Sequence, residues 1–213
     1  MARAPLFTTR LASYCMAFAW GAISLSMGLK AVVYQNQLKS SLRRAVAPNG
    51  ITLRLVTNNL VHPAIACEVF CVLTFVAGLI ALVGLFVDKC NTRKAIQLQA
   101  YLFTFLTAAL FATCIPVSNA IRTLAVEAWA WTADGTAISA EDLAATVASL
   151  GVNPQYRHLP YLLYFGIIPW FAFLFSLTSA VVSFIAANKV KDSAYAAEPT
   201  KREMAQADGI QTV

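Results

Sequence analysis

Four apolar stretches, each about as long as a bilayer is thick, constrain this chain more than any other feature of its sequence. A hydrocarbon core of ~30 Å takes about 20 residues of helix rising ~1.5 Å each. Segments 11–34, 63–87, 95–126 and 161–187 reach that length and carry only Lys30, Glu68 and Arg122 as charged residues. Pro116 and Pro169 lie inside the last two. A proline kinks a membrane helix and frees a carbonyl that neighbouring helices tolerate, so neither argues against a span. Composition agrees. Of 213 residues, 59% are hydrophobic and 12% charged, against roughly 45–50% and about 25% in average soluble domains. A soluble chain this short has nowhere to hide so much apolar surface.

The prediction is an all-α membrane protein, a left-handed bundle of four transmembrane helices. Residues 1–10 form a cytosolic N-terminus and 11–187 the membrane domain, with outer loops at 35–62 and 127–160. Residues 188–213 form a cytosolic tail, mobile or loosely helical. A competing reading takes Met1–Arg10 as the basic leader of a signal peptide, with cleavage at Ser26-Met27-Gly28. The apolar run continues through Val33, which favours a retained helix.

Orientation follows from Lys and Arg. The net charge of +6 lies beside apolar runs, where it meets lipid headgroups rather than nucleic acid. With both termini cytosolic, nine basic residues fall inside and seven outside. The short second loop, Asp88 to Lys94, carries Lys89, Arg93 and Lys94 and weighs most. This predicts a multi-pass protein of the plasma membrane or an endomembrane.

The first outer loop carries the basic set Lys39, Arg43, Arg44 and Arg54 and no acid. Within it, Leu42–Val46 and Ile51–Val56 flank Pro48-Asn49-Gly50, and Asn-Gly between such segments signals a hairpin. A small extracellular or lumenal β-hairpin is expected there. In the second outer loop, Ser139 to Asp142 resembles a capping signature. Leu143, Val147 and Leu150 follow at helical spacing, so a short helix over 140–150 is expected. That loop is acidic, and the two loops are expected to dock on one another. The alternative is that the basic loop holds a partner or anionic headgroups.

Small residues recur in steps of three and four, a spacing that lets membrane helices approach closely. Ala17, Gly21, Ser24 and Gly28 mark the first span, and Ser176, Ala180, Ser183 and Ala187 the fourth. The second shows Ala77, Ala81 and Gly84; the third Ala109, Thr113, Pro116 and Ala120.

Glu68 is the one acid well inside a span, and a charge at that depth is costly unless paired, hydrated or protonated. Arg122 and Lys30 lie at comparable depth, so an intramembrane pair of Glu68 with either is the first expectation. A proton or cation site is the second. His62, His158 and Glu68 are too scattered to suggest a metal centre. The five cysteines avoid both outer loops, which excludes a disulfide-stapled ectodomain within this sequence. Cys67 and Cys71 share a helix face as buried thiols, while Cys90, beside the inner basic cluster, is a candidate for palmitoylation. No nucleotide-binding or hydrolase motif occurs, and no cofactor or enzymatic activity is expected.

Four spans, cytosolic ends, a tight inner loop, the Pro48-Asn49-Gly50 hairpin and a third helix reaching Val126 together resemble the layout of claudin-like proteins and of the fungal SUR7/PalI type. The first outer loop lacks the tryptophan and paired cysteines of claudins. The second lacks the Cys-Cys-Gly of tetraspanins. The resemblance implies a scaffold that associates laterally, as a homo-oligomer or with other membrane proteins, and organises membrane. A channel or transporter with Glu68 in its path is the rival expectation.

Overall fold

In the computed structural model, which describes residues 6–132, 134–139, 141 and 155–210, four helices carry most of the chain. Helix α1 spans Phe7–Val46, α2 Asn58–Leu85, α3 Arg93–Thr123 and α4 Pro160–Ile210. All four contain segments long and apolar enough to cross a membrane. Their backbones form a ring in which α1 lies beside α2 and α4, and α3 beside the same two, with little contact between α2 and α4. A short turn at Asp88–Asn91 closes one end. At the other end strands β1 (Thr52–Val56) and β2 (Glu127–Trp131) make a two-stranded antiparallel sheet.

The main departure from the sequence reading is at this sheet end. Helix α1 does not stop near Tyr34 but runs for 40 residues, roughly 60 Å and about twice the hydrocarbon thickness. Residues 35–46 contain neither glycine nor proline, and Leu38, Leu42 and Val46 recur four apart on one helical face. That face covers the sheet: Leu42 and Val46 are buried with Leu53 and Ala130, flanked by Leu38, Ile51 and Leu55. Pro48 sits in the 3₁₀ turn that ends the helix, and Gly50, at φ 66°, takes the left-handed conformation that reverses the chain. The turn chemistry at Asn-Gly is thus present, but it joins helix to strand. Leu42–Val46 is helix, and the expected hairpin is corrected: β1 pairs with β2, from Thr52 opposite Trp131 to Val56 opposite Glu127. A short apolar run does not tell strand from helix, and here the four-residue spacing decided it.

The two connections therefore do meet, through a backbone ladder with an apolar face. Arg54 lies in register with Trp129, and Glu127 with Val56. Tyr156 plugs the joint from beneath. It is buried, its N–H donates to the Leu124 carbonyl at 3.3 Å, and its hydroxyl donates to Asn59 Oδ1 at 3.2 Å. Burial, the nearby Glu127 charge and Tyr161 push its phenol up to about 12. The expected helix over 140–150 lies, apart from Glu141, outside the described residues. Pro160 opens α4 at a position where a missing N–H costs nothing. The helix then continues past residue 187, where the tail was expected to begin.

Small residues set the closest approaches. A side chain at Gly21 would come within 2.9 Å of the Phe75 backbone, and one at Gly78 within 2.9 Å of the Phe18 nitrogen. Each glycine of this α1–α2 crossing admits the other helix's phenylalanine, and the two rings stack at 4.8 Å. All four small residues named on α1, and all four on α4, face inward and are buried. Along α4, Ser176 accepts from Thr107 at 3.0 Å and Ser179 donates to the Ser13 carbonyl at 3.2 Å, stitching α4 to α3 and α1. Helix α3 departs from its predicted stripe. It buries Leu106, Leu110, Cys114, Val117 and Ile121, while Pro116 is exposed and Ala109 and Thr113 are half-buried. Of the predicted stripe only Ala120 is buried, and large side chains share that interface with Ala100 and Thr107.

Candidate functional site: a carboxylate folded against Gly28

Among the described residues one acidic and one basic side chain, Glu68 and Arg10, carry their polar atoms into the bundle, and Ser24 Oγ on α1 is a further buried atom without a hydrogen-bond partner. Glu68 is on α2, about three turns from its start, facing α1. Its carboxylate lies on the bare backbone of Gly28, so close that a β-carbon there would collide with it. Gly28 is thus the residue that gives this side chain room. Neither carboxylate oxygen reaches solvent or has a hydrogen-bond partner. An unpaired buried polar group costs free energy, so its retention calls for an explanation.

The expected ion pairs are not formed. Lys30 follows Gly28 by two residues, about 200° around the helix, and faces outward with its ammonium 5.6 Å from the centre of the Tyr34 ring. Tyr34 in turn stacks on Tyr161 of α4 at 5.6 Å. Arg122 lies on the far side of the bundle, lining a groove between α3 and α4. Sequence depth placed the three residues at one level. It could not place them on one face.

Glu68 borders a lateral groove of about 340 Å³ between α1 and α2, with Val32, Ile65, Val69 and Leu73 among its walls and Gln35 toward the sheet end. Its lining is almost wholly apolar. Behind Glu68 the centre of the bundle is filled. Cys67 and Cys71 are buried, Cys67 Sγ lies 3.9 Å from Cys114 Sγ, and Leu110 and Val117 close the space around them. Among the described residues no set of three His, Cys, Asp or Glu side chains is placed to hold a metal. His62 and His158 are exposed at the sheet end, and His158 accepts from Arg157 at 3.2 Å. Cys90 is half-buried in the turn between α2 and α3. The outer basic residues separate, with Lys39, Arg43 and Arg44 on the α1 extension and Arg54 on β1. Lys39 donates to Thr57 at 2.8 Å, tying that extension to the start of α2.

The second deep group is Arg10, which the sequence places among the basic residues of the cytosolic N-terminus. It is fully buried. Its guanidinium donates to the Tyr14 hydroxyl at 3.3 Å, Asn91 Oδ1 at 3.1 Å and Gln99 Oε1 at 3.1 Å. The Tyr14 hydroxyl also lies 2.6 Å from Ser183 Oγ. One arginine thereby ties α1, the α2–α3 turn and α3 together, and Tyr14 extends the knot to α4. Gln99, which with Gln97 interrupts the start of the third apolar run, was the signal that could have found it.

No protein-family model, curated protein or solved structure matches the chain.

Proposed function

We propose that this chain is a non-enzymatic, multi-pass integral membrane protein with both termini in the cytosol, and that it organises membrane by lateral association. The α1–α2 groove receives one helix of another membrane protein or of a second copy. That helix lays an apolar ridge between α1 and α2 and offers Glu68 a hydrogen-bond donor. Rotation about the Glu68 side-chain bonds turns the carboxylate from Gly28 into the groove. The small-residue spacing suits a left-handed bundle, whereas the claudin-like layout lends no weight, because its hairpin is not formed and α3 ends at Thr123.

The observation that carries this reading is the unpartnered Glu68 carboxylate beside a lateral, apolar groove. In hydrocarbon a polar group gains most from a partner that brings its own donor. The small-residue stripes of α1 and α4 are spent inside the bundle, so association falls to the outer grooves, of which this one holds the unpartnered carboxylate. A conducting path through Glu68 is the rival reading, and the filled centre around Cys67, Cys71, Leu110 and Val117 weighs against it.

The test is extraction of the full chain into lipid nanodiscs, with mass measured for wild type and Glu68→Gln and with ion flux measured after reconstitution. A discrete oligomer or complex that Glu68→Gln disrupts, with no flux in either, is expected. Flux that Glu68→Gln abolishes would replace the association reading with the channel.

A further inference from the structure

A second groove runs down the opposite side of the bundle, between α3 and α4, and encloses about 560 Å³. Its trough is apolar, walled by Leu163, Ile167, Phe171 and Leu174. Trp170 also lines it, with its indole N–H already donated to Ser118 at 3.0 Å, so the ring offers an apolar face. Two arginines stand at the sheet end of the same trough. Arg122 belongs to the last turn of α3, and Arg157 to the 3₁₀ turn leading into α4. Arg157 is held by one edge, its Nε donating to Gln155 at 2.9 Å and His158 at 3.2 Å. No acidic residue is among those that line the groove.

The dimensions name the occupant. From Leu163 to Leu174 the trough follows α4 for roughly 16 Å, about one leaflet of a ~30 Å hydrocarbon core. Two guanidinium groups at the headgroup end of a trough one leaflet deep complement a phosphate attached to an acyl chain. The planar guanidinium fork matches phosphate oxygens, and the excess positive charge favours a headgroup that keeps a net negative charge. We propose that this groove binds one anionic phospholipid, its phosphate clasped by Arg122 and Arg157 and one acyl chain laid along α4. The site rests on the membrane-spanning reading and is independent of Glu68.

The test uses the full chain, delipidated in mild detergent and titrated with phosphatidylglycerol or phosphatidylcholine while bound lipid is counted by native mass spectrometry. One phosphatidylglycerol should bind about tenfold more tightly than phosphatidylcholine. Arg122→Gln with Arg157→Gln should remove that preference, whereas Arg43→Gln with Arg44→Gln, on the α1 extension, should leave it intact. Ile167→Trp, which fills the trough and keeps both arginines, should weaken both lipids. Equal binding of the two lipids to wild type, or a preference that survives loss of both arginines, would overturn the proposal. So would displacement of the lipid by equimolar glycerol phosphate, which would mean that the anion alone is recognised. A chain that stays soluble and folded without detergent would instead sink the membrane reading itself.

Discussion

Arg10 and Glu68 are both polar groups set deep in the same four-helix bundle, yet their surroundings are opposite. The guanidinium of Arg10 reaches three separate acceptors on α1, the α2–α3 turn and α3 and, through Tyr14 and Ser183, helix α4. The carboxylate of Glu68 reaches none. A buried group held by several partners fixes one arrangement of the chain, whereas one left without a partner is kept at a cost. We read the first as a lock that belongs to folding and propose the second as a site.

The comparison breaks most visibly at the lock. Arg10→Ala leaves Tyr14, Asn91 and Gln99 short of a donor and opens a cavity. It should cost about 3 kcal/mol, read as a lowered unfolding midpoint in detergent. Next in size, Gly21→Ala and Gly78→Ala force α1 and α2 apart at their closest crossing. Each should cost about 1–3 kcal/mol, and an unchanged midpoint in either would show that the crossing is looser than described. Gly28→Ala sharpens the site end of the comparison. Alone it should cost about 1–2 kcal/mol by displacing the carboxylate. Combined with Glu68→Ala most of that cost should vanish, and a double-mutant cycle reads the coupling. Simple additivity would mean that Gly28 serves something other than Glu68.

The smallest effect concerns Tyr156. Its phenol is pushed up to about 12 by burial and Glu127, so between pH ~10 and ~12 the folded chain holds a proton that the unfolded chain has released. Stability should be unaffected below pH ~10 and fall as pH rises through that window. Tyr156→Phe should lose about 1 kcal/mol with the Asn59 hydrogen bond and flatten the alkaline slope. An equally steep slope in Tyr156→Phe would assign it to other groups.

The four long helices were legible because apolar length is a one-dimensional property, and a count of residues suffices to find them. The α1 extension was less so. The segments flanking Pro48-Asn49-Gly50 fitted a hairpin, and only the sheet, built with a strand some 70 residues further on, shows why Leu38, Leu42 and Val46 needed to share a helical face. The candidate site divided in the same way. Glu68 stood out because a charge in an apolar run is conspicuous, but its relation to Lys30 and Arg122 depended on rotation about helix axes, which depth along the sequence does not carry. Arg10 lay in a basic cluster next to a span, where a buried arginine and an exposed one look alike until Gln99 and Asn91 are brought beside it by the fold. Gly78 was passed over for Ala77, although it is Gly78 that meets Phe18.

The distinction between lock and site is tested most directly by Glu68→Gln, with unfolding midpoint and native assembly measured on the same nanodisc preparation. A midpoint at or above that of wild type, together with loss of the native complex, is the predicted result. A chain that unfolds at a lower temperature while its assembly is unchanged would make Glu68 a structural residue and contradict the account.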